Sequence, residues 1–68
     1  MPAFRLPLAT IGRTGTVRSA ISPVGSVHFG GELWTSELAE GEDPIPEGAK
    51  VEVIGAKGVR IIVRRTQP

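Results

Sequence analysis

Glycine and proline break this chain into short pieces: nine of one and six of the other fall within 68 residues. Long helices rarely survive such punctuation, because glycine loosens a helix and proline removes a backbone donor and clashes with the preceding turn. Brief strands joined by tight turns are the fold that such a chain can still make. Its length allows one small core, so a single domain is expected. With no cysteine, neither disulfides nor thiolate metal sites can staple it, and stability must come from apolar packing and a well-paired sheet.

The clearest local signal is Val24-Gly25-Ser26-Val27-His28-Phe29, then Gly30-Gly31, then Glu32-Leu33-Trp34-Thr35-Ser36. Two extended runs joined by a Gly-Gly pair able to take positive φ read as a hairpin. With Gly30 and Gly31 as the loop, Phe29 faces Glu32, His28 faces Leu33 and Val27 faces Trp34. Alternation then puts Val27, Phe29 and Trp34 on the core face and Ser26, His28, Leu33 and Thr35 on the other.

Upstream, Ile11–Ser19 is glycine-spaced and β-branched, which predicts a first strand curving at Gly12 and Gly15. Ser22-Pro23 interrupts pairing after it. Downstream, Lys50–Ile54 and Val59–Arg64 read as two more strands joined by Gly55-Ala56-Lys57-Gly58. The acidic, proline-bearing stretch between Leu38 and Lys50 reads as a loop whose one apolar anchor, Ile45, plugs the end of the fold. The expected architecture is all-β, a small five-stranded OB-fold β-barrel, since closure removes the edges that an open sheet would present. The expected core is Val17, Val27, Phe29, Trp34, Val51, Val53, Val59, Ile61 and Val63. The barrel is expected over residues 11–65, after a lead-in or linker over 1–10 that is disordered or nearly so, and before a tail over 66–68.

Chemistry for catalysis is scarce. His28 is the sole histidine, so a Ser-His-Asp triad would have to run through one strand residue, and Cys-His pairing is impossible. His28 reads instead as an exposed strand histidine. One histidine with scattered carboxylates offers no transition-metal ligand set. Glu40, Glu42, Asp43 and Glu47 gather in one loop, but their spacing matches no calcium loop, so a solvated acidic loop is expected. Gly12-Arg13-Thr14-Gly15 lacks the lysine and the following helix of a phosphate loop, and strand curvature explains it better. No catalytic residue, metal or cofactor is expected.

Net charge is +1, without the basic excess of most phosphate binders. No apolar run approaches the roughly 20 residues of a membrane-spanning helix. Arg13, Arg18, Arg60, Arg64 and Arg65 are either solvated strand faces or a basic surface. Single-stranded nucleic acid is a competing ligand for such a barrel, but only Phe4, Phe29 and Trp34 are aromatic, and the core claims two of them.

Taken in order, Ile11-Gly12-Arg13-Thr14-Gly15-Thr16-Val17, Ser22-Pro23-Val24-Gly25-Ser26-Val27, Gly30-Gly31-Glu32-Leu33-Trp34, Pro44–Ile54 and Gly58–Val63 resemble the soluble C-terminal domain of the NfeD family. The resemblance covers nearly all of the chain after residue 10. It implies an OB-type barrel at the end of membrane proteins that carry transmembrane helices and, in long members, a ClpP-like serine protease domain. It also implies a non-catalytic interaction or assembly domain that associates with itself or with a stomatin-like membrane partner, in a soluble fragment or a very short member. The basic ending Arg64-Arg65 departs from the expected pattern and leaves room for anionic lipid, against a plain solvated terminus. By fold analogy the interaction surface is expected near Arg13, Arg18 and Arg60, on one open sheet face.

Overall fold

The computed structural model describes residues 11–66, and the expected lead-in over 1–10 and the last two residues of the tail lie outside them. Five strands form: β1 (Thr14–Ser19), β2 (Val24–Phe29), β3 (Glu32–Leu38), β4 (Lys50–Lys57) and β5 (Arg60–Arg65). They close into a barrel in the order β1-β2-β3-β5-β4, with β4 returning to β1. Every pairing is antiparallel except β3 with β5. This is the OB topology, with all five strands flanked on both sides.

Local chemistry accounts for each corner. Gly30 and Gly31 take φ of 61° and 80°, the pair of left-handed residues that a type I′ turn needs. The register follows: Phe29 opposite Glu32, His28 opposite Leu33, Val27 opposite Trp34. Gly15 is buried where β1 crosses β2 closely. A Cβ there would sit 2.7 Å from Val27 Cγ1 and 2.8 Å from the His28 carbonyl oxygen. Gly25 is tighter still, since a Cβ would run into the backbone carbonyls of Ser19 and Ala20.

The core is Val17, Ile21, Val27, Phe29, Ile45, Val51, Val53, Ile61 and Val63. Alternation along β1, β4 and β5 supplies most of it, and each buried valine or isoleucine contributes roughly 1.5–3 kcal/mol. Ile45 closes the end of the barrel opposite the β2–β3 turn. Its amide donates to the Ile21 carbonyl at 3.1 Å and its carbonyl accepts from the Ile21 amide at 2.9 Å. The same loop is tied to β1 as well, through Gly48 N–H to Val17 O at 2.8 Å and Val17 N–H to Ala49 O at 2.9 Å.

Four expectations need correcting. Val59 is not in the core but 64 % exposed. Its parity with Ile61 and Val63 is inward, but β5 stops at Arg60. β4 runs on to Lys57 after a bulge at Ile54, so the pairs Gly55↔Ile62, Ala56↔Ile61 and Lys57↔Arg60 leave only Gly58 and Val59 for the turn. Gly55–Lys57, expected in the connection, is therefore strand. Trp34 is half-buried at the edge of the core, because the pairing of β3 with β5 begins only at Ser36↔Ile61 and leaves the barrel open above it. The first strand begins at Thr14, not Ile11, although Gly12 N–H and Arg13 O still bond to Val53.

Candidate interaction surface

The strand directions sort the surface into two ends. β1 starts, and the β2–β3 and β4–β5 turns lie, at one end, so Ile11–Arg13, Gly30-Gly31 and Gly58-Val59 share it. The corner at Ala20–Pro23, the Ala39–Ala49 loop and the end of β5 share the other.

This arrangement separates the three arginines expected to form one face. Arg13 and Arg18 stand at opposite ends of β1, five residues and roughly 16 Å apart along an extended strand. Arg60 lies at the start of β5, at the same end as Arg13, and its guanidinium pairs with Glu37 at 3.4 Å. Arg64 pairs with Glu52 at 3.3 Å. Arg65 donates from its side chain to the Pro44 carbonyl and from its backbone to the Glu42 carboxylate, both at 3.4 Å. Both arginines of the basic ending are thus folded onto the barrel. His28 is exposed on the outer face, with Thr16 and Leu33 as cross-strand neighbours. The carboxylates of the long loop do not converge: no group of three metal-ligating side chains occurs among the described residues. Among them too, no helix is long and apolar enough to cross a membrane.

The concave feature at the turn end is a shallow groove of about 320 Å³ lined by Glu32, Leu33, Trp34, Thr35 and Val59. Leu33 points outward as the hairpin alternation requires and is 62 % exposed. Val59 stands beside it in the β4–β5 turn. Trp34 forms the wall: its ring stacks on Phe29, and its N–H donates to the Phe29 carbonyl at 3.3 Å. Leu33 was legible as an outward apolar residue in an otherwise polar row. Val59 was not, because its role depends on the Ile54 bulge, which leaves no mark in the alternation.

Comparison with known proteins gives this geometry a context. None of the curated proteins compared with the chain matches it. Among solved structures it is similar to the C-terminal domain of stomatin operon partner protein 1510-C from Pyrococcus horikoshii, at 33 % identity and a TM-score of 0.83, over 88 % of this chain and 92 % of that one. It is also similar to the soluble domain of a membrane protein implicated in regulation of membrane protease activity from Corynebacterium glutamicum. There the identity is 25 % and the TM-score 0.78, over 90 % of this chain and 100 % of that one. The family model of the NfeD-like C-terminal, partner-binding domain matches residues 8–65. The chain belongs to the NfeD-like C-terminal, partner-binding domain family.

Proposed function

We propose that this domain is the non-catalytic docking module of an NfeD-like membrane protein, and that it holds its parent in assembly with itself or against a stomatin-like partner. The observation that carries the reading is the family match across residues 8–65, whose description is partner binding. The similarity to the domain of a stomatin operon partner protein supports the choice of partner class. A non-catalytic role draws support from the inventory of groups: with no cysteine and one histidine, which stands on an open strand face, nucleophilic catalysis lacks an activating neighbour. On this reading the parent supplies the membrane attachment.

The single-stranded nucleic-acid reading draws less support. Phe29 is buried and Trp34 is half-buried with its ring stacked on Phe29, so the two barrel aromatics stack on each other instead of standing as separate platforms for a row of bases. Purification of the tagged parent from detergent-solubilised membranes tests the proposal. Co-purification of a stomatin-like protein, or of untagged parent, is expected with the domain present and lost on its deletion. Recovery of neither overturns it. An oligonucleotide shifted at low salt by the isolated domain would favour the other reading.

A further inference from the structure

We propose that the groove between β3 and the β4–β5 turn receives a segment of a protein partner that seats one bulky apolar side chain beside carboxylates. This rests on the partner-binding reading and adds its place and its chemistry.

The distribution of apolar surface carries the first part. Five large hydrophobic residues are exposed among the described ones, and four of them, Ile11, Leu33, Ile54 and Val59, lie toward the turn end. Single exposed hydrophobics need no explanation, but their gathering at one end of so small a barrel does. Folding supplies none for Val59. In this two-residue turn Gly58 takes the positive φ, so position 59 accepts many residues, and a β-branched side chain there gains neither backbone preference nor burial. Leu33 likewise occupies an outward position that Ser26, His28 and Thr35 fill with polar groups. Between them Trp34 is held by its stack on Phe29 and its bond to the Phe29 carbonyl. A large amphipathic ring already fixed in place can bind with little further loss of freedom. A volume of about 320 Å³ accommodates one or two side chains, at the lower limit of small-molecule sites.

Charge carries the second part. The turn end bears Arg13, Lys57 and Arg60 against Glu32. Arg60 is shared with Glu37, whereas Arg13 and Lys57 have no ion pair among the described residues. Glu40, Glu42, Asp43 and Glu47 all lie on the loop at the far end. Arg18, Lys50, Arg64 and Arg65 share that end and offset its carboxylates, so it is the excess of Arg13, Lys57 and Arg60 over Glu32 that draws an acidic segment to the groove end, where it sets orientation and association rate as well as affinity.

Selection of a phage-displayed library of short random peptides on the domain tests both parts. The comparison protein is Leu33→Ser/Val59→Ser, two exposed positions whose change should leave the thermal melt in place. Enriched peptides are expected to carry leucine, isoleucine or an aromatic next to aspartate or glutamate, and to shift Trp34 fluorescence. They should bind the double variant more than about tenfold more weakly, and Lys57→Glu should weaken them in low salt. Enrichment of basic or uncharged peptides, equal binding to the variant, or no enrichment overturns the proposal. So does a concentration-dependent dimer of the wild type that the double variant loses, since the occupant is then a second copy. Failure here is separable from failure of the partner reading: a parent carrying Leu33→Ser/Val59→Ser that recovers its partner undiminished defeats the groove alone.

Discussion

The rings of Phe29 and Trp34, on either side of the β2–β3 turn, stack with centroids 5.1 Å apart and planes inclined by 19°. The same indole donates its N–H to the Phe29 carbonyl at 3.3 Å, so one residue of β3 grips the end of β2 by face and by edge. Replacing Trp34 with Ala should cost about 3 kcal/mol, toward the lower end for large aromatics because the side chain is only half-buried. Trp34→Phe keeps the stack, loses the hydrogen bond and should cost about 1 kcal/mol. Urea denaturation followed by circular dichroism gives both values, and equal losses would mean that the ring contributes through its hydrogen bond rather than its area.

Gly25 sits where a side chain would meet the backbone of the β1–β2 corner. Ser19 and Ala20 offer carbonyl oxygens there, and backbone cannot swing aside as a flexible side chain can. Gly25→Ala should destabilise by about 3 kcal/mol, the upper range for overpacking. Gly41, with φ of 86° and open space around it, should cost only about 1–2 kcal/mol on the same change, from left-handed backbone alone. Thermal melts of the two variants should therefore be well separated, Gly25→Ala the lower.

Ile45 lies in a loop, yet it is as buried as the barrel interior. Truncation to Ala should cost about 2–5 kcal/mol, the range for a core isoleucine. Ile54→Ala, on the bulge and partly exposed, should stay within about 1 kcal/mol because little buried area is lost. Chemical denaturation of the pair separates a plug from a surface residue, and similar midpoints would show that the loop closes nothing.

The ion pairs Arg60–Glu37 and Arg64–Glu52 are partly exposed. Solvent and salt screen such pairs, so Arg60→Ala and Arg64→Ala should each change stability by less than about 1 kcal/mol. Their difference from wild type should shrink further as salt is raised, which melts at two ionic strengths would show.

What can be read from the residues and what cannot divide along physical lines. Gly30-Gly31 determines the register of β2 and β3 because turn geometry is local, and Val17, Val51, Val53, Ile61 and Val63 are found by alternation because each strand has one inward face. Ile21 escapes, since a residue in a proline-bearing corner belongs to no periodic pattern until Ile45 crosses the chain to meet it. Ser36 is fully buried although polar, with its hydroxyl satisfied by the Trp34 carbonyl at 3.0 Å, a local bond that composition does not announce. The groove escapes for a related reason. Leu33 is visible as an outward apolar residue, but its neighbour Val59 is placed by the bulge at Ile54, and a single unpaired residue leaves the hydrophobic pattern intact while moving the turn that follows it.

The placement of β5 between β3 and β4 governs how the molecule comes into being. It is the last of the five strands to leave the ribosome, yet it fills a gap between two made earlier. Until Arg60–Arg65 has emerged, β3 and β4 each present an open row of amides and carbonyls, the kind of template on which neighbouring nascent chains can join. Closure therefore arrives in one late step, and a chain stopped before Arg60 would carry two adhesive edges instead of none.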